Sequence, residues 1–343
     1  MKKTVYGFGI VGCGMISAIH AEVIGRLENA RLTGVADANP ASAAAFAETH
    51  GCRAFESAEA LFASEAVDVA VICVPSGHHA ALTVAALRAG CHVLVEKPLA
   101  LTTEGLEAIT AAANESGKTV GVICQQRFTP SAIALHRLIG EGALGRLLFA
   151  DLSMPYHRDP SYYKAAAWRG TRAMDGGELF NQGVHGVDLL LHLCGDVVAV
   201  SGVSRTLVHD IEAEDTTVAM LEFASGAVGT LRSSTAVNPG YPRCLTMYFT
   251  GGTVALDDDN IILWDVPGVP RPEVKSYEGR ESHNNPMAFS SDYHFAEYED
   301  FLEALDEGRA PAVSLSEGRR SPDVVLAIYR SSDEGRRIVL NKE

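Results

Sequence analysis

Short apolar runs alternate with alanine-rich stretches over the first 124 residues. The runs at 5–11, 31–36, 67–74, 92–95 and 119–123 are almost uninterrupted in apolar character, as strands buried on both faces are. Between them, residues 16–27, 40–49, 79–89 and 103–116 read as helices. Strands separated by helices predict a parallel sheet covered on both faces, an α/β doubly wound domain over residues 1–124. The pattern then changes. A helix is expected near 131–141, a strand at 146–154, a long irregular stretch, and a helix near 184–193. From 197 to 264 strands and turns alternate without helices, with strands expected at 218–223, 228–233, 244–249 and 252–256. Residues 267–286 read as a Pro/Gly/Asn-rich loop, and 293–307 and 316–336 as closing helices. Residues 125–343 are therefore expected to form an α+β domain with a large, mainly antiparallel open sheet. Helices would cover one face of that sheet. The other face needs a second subunit, so a homodimer or homotetramer is expected.

Composition narrows the partners. A chain of 343 residues is long enough for two cores. Its 28 Lys+Arg against 43 Asp+Glu leave a formal charge of −15. That balance argues against nucleic acid or an anionic membrane surface. With so early a first strand no secretory leader is expected, and no apolar run approaches a membrane span. The seven cysteines are odd in number and scattered, without disulfide-framework or zinc spacing. Free thiols in a reducing cytoplasm are expected, and no metal.

The chemistry starts at Gly12-Cys13-Gly14-Met15-Ile16-Ser17, where the first strand breaks into a helix. Gly12 allows a tight turn, Gly14 a close approach of backbone to a pyrophosphate, and the helix start offers unpaired amides. Ser17 stands where a third glycine is usual. Asp37 ends the second strand about twenty residues on, placed to bond the adenosine ribose hydroxyls and to repel a 2′-phosphate. Ala38-Asn39-Pro40 supplies no arginine for such a phosphate, so NAD is favoured over NADP. Val74-Pro75-Ser76 and Glu96-Lys97-Pro98 close two further strands, at the end of a parallel sheet where ligands bind. Met15, Ile16, Pro75, Ser76, His79, Glu96 and Lys97 are accordingly expected beside the cofactor. Lys97 could also polarise a substrate hydroxyl and carry its proton.

In Asn181-Gln182-Gly183-Val184-His185-Gly186-Val187-Asp188-Leu189-Leu190-Leu191-His192, three titratable groups share one helical stripe. Asp188 and His192, at i,i+4, are expected to hydrogen-bond, the carboxylate orienting the imidazole as a base. His185 sits near the helix start, where the dipole favours a neutral ring. The two histidines are separated by about 10.5 Å of helix rise, too far to share one metal ion easily. Trp168 and Arg169, in Tyr162-Tyr163-Lys164…Trp168-Arg169-Gly170-Thr171, are candidates for a cofactor or substrate wall. Gln126, in Gln125-Gln126-Arg127-Phe128, is a candidate cofactor or hinge contact at the domain junction.

The glycine motif, Asp37, the Glu-Lys-Pro-Leu string and the Gly-Gly…Asn-Gln-Gly-Val-His-Gly-Val-Asp block together resemble the Gfo/Idh/MocA (glucose–fructose oxidoreductase / inositol dehydrogenase) family over essentially the whole chain. The resemblance implies a Rossmann domain, then an α/β domain whose open sheet serves oligomerisation. It also implies NAD(P)-dependent oxidation of a hydroxyl on a small polyhydroxylated substrate: a sugar, sugar nucleotide or cyclitol. The family's catalytic lysine maps onto Lys97. The Asp/His pair of inositol dehydrogenases maps onto Asp188 and His192, and the histidine of sugar-nucleotide 3-dehydrogenases onto His185. The Trp-Arg-Gly-Thr and Asn-Gln-Gly-Val-His strings look more like that second branch. The family's Gly-Gly-Gly appears as Asp175-Gly176-Gly177-Glu178, one glycine short. A redox-neutral NAD-dependent glycosidase and a silent NAD-sensing regulator are the alternatives.

Overall fold

The computed structural model describes residues 4–274 and 290–340, which divide into two compact units. The first comprises Met1–Gln125 together with Ser290–Arg319, the second Gln126–Phe289 together with Arg320–Glu343. A single cut at residue 124/125 was expected, and the return of residues 290–319 to the first unit is a difference the linear pattern does not carry.

In chain order the elements are β1 (Tyr6–Val11), α1 (Met15–Arg26), β2 (Ala30–Ala36), α2 (Pro40–His50), β3 (Arg53–Ala54), α3 (Ala58–Phe62), β4 (Val69–Ile72), α4 (His79–Arg88), β5 (His92–Val95), α5 (Thr103–Ser116) and β6 (Val120–Val122). All six strands run parallel in the order β3-β2-β1-β4-β5-β6. The order reverses between β1 and β4, and ligands of such sheets bind outside the strand ends at that switch point. Local chemistry sets the helix limits. Asn39 caps α2 ahead of Pro40 and Gly51 ends it in the left-handed region, while Thr102 and Gly117 do the same for α5. Of these six strands only β3, two exposed residues long, had no apolar run to announce it, and the short α3 was not expected either.

The remaining elements are α6 (Pro130–Gly140), β7 (Leu147–Pro155), α7 (Pro160–Lys164), α8 (Val184–Cys194), β8 (Val197–Arg205), β9 (Thr216–Phe223), β10 (Val228–Ser234), β11 (Cys244–Phe249), β12 (Gly252–Asp257), β13 (Asn260–Asp265), α9 (Ser291–Glu307), α10 (Leu315–Glu334) and β14 (Ile338–Val339). Within the first unit, α9 presses Tyr298, Phe301 and Leu302 into a core with Phe8, Ile10, Val69, Val71 and Ile24. The Phe8 and Tyr298 rings stack at 5.7 Å. In the expected loop, residues 267–274 have no regular structure beyond a turn, and 275–286 lie outside the described residues.

In the second unit eight strands form one sheet in the order β13-β12-β11-β7-β10-β9-β8-β14. Every pair is antiparallel except β7 with β10. Alternate residues point to opposite faces. Leu152, Met154, Leu221, Leu231, Leu245 and Met247 are buried on the inner face, where α8 lies so close at Gly186 that a Cβ there would overlap the Met154 sulfur. The outer face leaves Val203, Val218, Met220, Val228 and Phe149 exposed, and register sets Val203 beside Val218 and Val228 beside Phe149. Among the described residues, no helix is long and apolar enough to cross a membrane.

Candidate active site

The glycine turn of the first unit is built for a close ligand. Gly12 has φ +95°, and a Cβ there would sit 2.6 Å from the Cys73 carbonyl oxygen, so conformation and space both demand glycine. A Cβ on exposed Gly14 would meet nothing within 4 Å. Gly14 caps α1 without a side-chain hydrogen bond, and the first turn carries no acidic residue, which leaves the helix amides available to an anion. Met15 is exposed, Ile16 half-buried, and Ser17 buried with its hydroxyl on the Gly14 carbonyl at 2.5 Å. Asp37 reaches back to the same turn. One of its oxygens accepts the Cys13 amide and the other the Asn39 amide, each at 2.7 Å. An open backbone, free helix amides and a fixed carboxylate fit a dinucleotide.

At the end of β5, Glu96 is 8% exposed, Lys97 is half-buried, and the Lys97–Pro98 peptide bond is cis. Glu96 Oε1 lies 3.1 Å from His20 Nε2 on α1, and Glu96 Oε2 accepts the Lys97 amide at 3.2 Å. Burial alone would raise the Glu96 pKa, yet the hydrogen bond and charge of His20, with His294 and Lys97, hold it down at about 2. After β4, Pro75 and Ser76 are half-buried in a turn. His79, expected at the cofactor, opens α4 just beyond that turn. It is 1% exposed, its Nδ1 and Nε2 facing the carbonyls of Pro98 at 2.6 Å and Val74 at 2.9 Å. Burial lowers its pKa, and the ring acts as a strut between two strand ends.

In the second unit a π-helical turn, Leu179–Gly183, leads into α8, a feature often found at functional sites. His185 is half-buried one residue into α8. The expected bond between Asp188 and His192 is corrected. Both Asp188 oxygens are taken by Arg127, from Nε at 2.8 Å and from an NH2 group at 2.7 Å, with both side chains 4% exposed. A buried carboxylate takes the bidentate cation before an imidazole. His192 instead stacks on His136 of α6, ring centres 4.1 Å apart, and its carbonyl oxygen lies 3.1 Å from His136 Nδ1. Gln126 hydrogen-bonds Arg243, itself 1% exposed.

Half-buried Trp168 and Arg169 lie on the irregular stretch. The Arg169 guanidinium stands 4.0 Å from the Tyr162 ring centre and 5.5 Å from that of Trp168. Below the Gly176-Gly177 turn sit two buried carboxyls that the sequence pattern did not single out. Glu178 accepts from the Ser233 hydroxyl at 2.7 Å. Glu214 accepts from the Leu179 amide at 3.1 Å and the Tyr329 hydroxyl at 2.5 Å. Gly177, at φ +105°, has no room for a Cβ against the Glu214 carboxyl. Burial pushes Glu214 up to about 7, and burial with Glu214 beside it pushes Glu178 well up too.

Two family models match the sequence. One describes an oxidoreductase family with an NAD-binding Rossmann fold and matches residues 6–124. The other describes the GFO/IDH/MocA C-terminal domain and matches 133–255. An inositol 2-dehydrogenase of Rhizobium meliloti (strain 1021) is 27% identical over 96% of this chain and 98% of its own. A UDP-N-acetylglucosamine 3-dehydrogenase of Acidithiobacillus ferrooxidans is 30% identical over 91% of this chain and 92% of its own. Among solved structures, the WlbA dehydrogenase from Bordetella pertussis, in complex with NADH and UDP-GlcNAcA, is 32% identical. It matches with a TM-score of 0.89 over 99% of this chain and 100% of its own.

Proposed function

This chain belongs to the GFO/IDH/MocA oxidoreductase family, and from that premise we propose that it oxidises a secondary hydroxyl of a sugar, a sugar derivative or an inositol with NAD as acceptor. The observation that carries the reading is the convergence of three features at carboxyl ends of one parallel sheet: the Gly12–Gly14 turn after β1, Asp37 after β2 and Lys97 after β5. With NAD bound, its nicotinamide supplies the hydride acceptor. The amides at the start of α1 hold the pyrophosphate, and Asp37 takes the adenosine ribose hydroxyls while repelling a 2′-phosphate. Lys97 polarises the substrate hydroxyl and accepts its proton as the carbon is oxidised. Arg169, with its aromatic neighbours, is a further cofactor contact. Because Arg127 holds Asp188, the arrangement in which Asp188 orients His192 loses support, and His185 is the favoured partner in proton removal. The exposed apolar outer face of the eight-stranded sheet supports assembly as a homodimer or a dimer of dimers through that face.

The test is NADH formation over a panel of inositols, hexoses, glucosides and sugar nucleotides. Net accumulation of NADH is expected with free polyols or sugar nucleotides, whereas aglycone release at constant NADH would reassign the chain as a redox-neutral glycosidase. Lys97→Ala should lower turnover by roughly a hundredfold or more while NAD affinity stays near normal. His185→Ala should be crippled and His192→Ala only weakened; the reverse order would favour the inositol-dehydrogenase arrangement. Near-normal turnover in Lys97→Ala would remove the basis of this mechanism.

A further inference from the structure

Behind the end of β5 three side chains from separate elements of the first unit converge. His20 comes from α1, Glu96 follows β5, and His294 comes from α9. Both histidines are 0% exposed and Glu96 is 8% exposed. His20 Nε2 lies 3.1 Å from Glu96 Oε1, and His294 Nε2 lies 3.9 Å from the same oxygen. One potential ligand atom from each residue falls within 4.8 Å of the others. The first distance alone describes an ordinary hydrogen bond. The second is too long for one, yet two Nε2 atoms gather on a single carboxylate oxygen. Ligand atoms bonded at about 2.0–2.2 Å to a tetrahedral ion stand about 3.3–3.5 Å apart, between the two observed values.

The groups behind these three are arranged as the outer partners of metal ligands are. Buried Tyr298 places its Oη 2.7 Å from His20 Nδ1. With Nε2 on an ion, His20 carries its proton on Nδ1 and donates it to that oxygen. Glu96 Oε2 accepts the Lys97 amide at 3.2 Å, which leaves Oε1 for the two rings. Those rings meet edge to face with centres 5.6 Å apart, so their in-plane lone pairs approach from different directions. We propose that His20, Glu96 and His294 hold one divalent zinc ion as a structural staple of the first unit. Two imidazoles and a carboxylate suit zinc, whereas calcium and magnesium take oxygen ligands. Three protein ligands leave one tetrahedral position for a water. The ion would tie α1 and the end of β5 to α9, so its binding free energy is folding free energy. Cysteine spacing gave no hint of it, because none of the three ligands is a cysteine. No step of the proposed oxidation passes through the ion, so the staple stands or falls separately from that reading.

The test uses the full chain, produced in cells grown with and without added zinc and purified without a metal resin. Elemental analysis and native mass spectrometry should find one zinc per chain in the zinc-grown protein. That protein should melt about 5–11 °C above the zinc-depleted one, the gain expected from an ion at about a hundred times its Kd. His294→Leu should carry no zinc and show no such gain. Should that variant fail to melt cooperatively, Tyr298→Phe removes one oxygen only and keeps all three ligands. It should surrender its zinc to a competing chelator with an affinity about 10–100-fold weaker than that of wild type. Three results would each overturn the staple. The zinc-grown chain could emerge without zinc. Wild type and His294→Leu could hold it equally, as exposed His136 beside His192 would allow. Tyr298→Phe could retain it as firmly as wild type does. Turnover enters none of these readings, so failure of the substrate panel leaves them intact.

Discussion

Replacing Glu214 by glutamine removes a proton-binding group that the folded second unit holds at about 7, well above its ordinary value of 4.5. Burial is the cause, and the Tyr329 hydroxyl and Leu179 amide offset it only partly. A rise of about 2.5 pH units corresponds to about 3 kcal/mol of linkage between folding and protonation. The sign follows from which state holds the proton. Below about pH 4.5 folded and unfolded chains are both protonated here, and the stabilising contribution is whole. Between there and about pH 7 the unfolded chain releases a proton that the folded one keeps. Above about pH 7 both are ionised, the folded protein carries a buried carboxylate, and the contribution is gone. Glu178 is raised by burial and by Glu214 together, so removing the Glu214 charge relieves it in the same direction. Glutamine keeps an oxygen for Leu179 and Tyr329. Calorimetric melting of wild type and Glu214→Gln at about pH 5 and about pH 9 measures the difference. One kcal/mol moves the midpoint of a unit of this size by about 2–4 °C. Wild type should therefore lose roughly 6–12 °C more than the variant on going alkaline. Equal pH dependence in the two proteins would refute a neutral carboxyl at this place.

Three further outcomes are expected. Asp37→Ser with Asn39→Arg should move cofactor preference from NAD toward NADP, and equal wild-type affinity for both cofactors would contradict the role given to Asp37. Arg127→Leu should destabilise by about 3–5 kcal/mol because it strands a buried carboxylate, while adding Asp188→Leu should recover much of that loss; thermal midpoints of wild type and the two variants check it. Light scattering at micromolar concentration should give a dimeric or tetrameric mass, and Val218→Glu with Met220→Lys should give monomers if the outer sheet face is the contact.

Much of the first unit was legible because strands buried on both faces read as plain apolar runs, and 92–95 coincides with β5. The Gly12 turn was equally legible, since a strand, two glycines and a helix leave few alternatives. What escaped were partners far off in sequence. Helical spacing put Asp188 and His192 on one stripe of α8, but spacing within a helix says nothing of an arginine on another segment, and Arg127 claimed the carboxylate. His20 and Tyr298 are 278 positions apart, and no local pattern joins them. Glu178 and Glu214 looked like ordinary charged residues because burial is a property of the assembled unit. The place of Asp37 after β2 is local, and its hold on Cys13 follows from the parallel pairing of β1 with β2.

The return of Ser290–Arg319 to the first unit has a consequence for how the protein is made. At synthesis rates of about 5–20 residues per second, the 290s follow residue 125 by roughly 8–33 s. Through that interval the nascent β1–β6 sheet has emerged without Tyr298, Phe301 and Leu302, leaving the apolar surface around Phe8 and Ile24 open and Glu96 with its His20 partner alone. A ribosome stalled before residue 290 should hold a first unit that proteases cut and chaperones bind. A stretch translated late acts, in effect, as the clasp on a domain begun early.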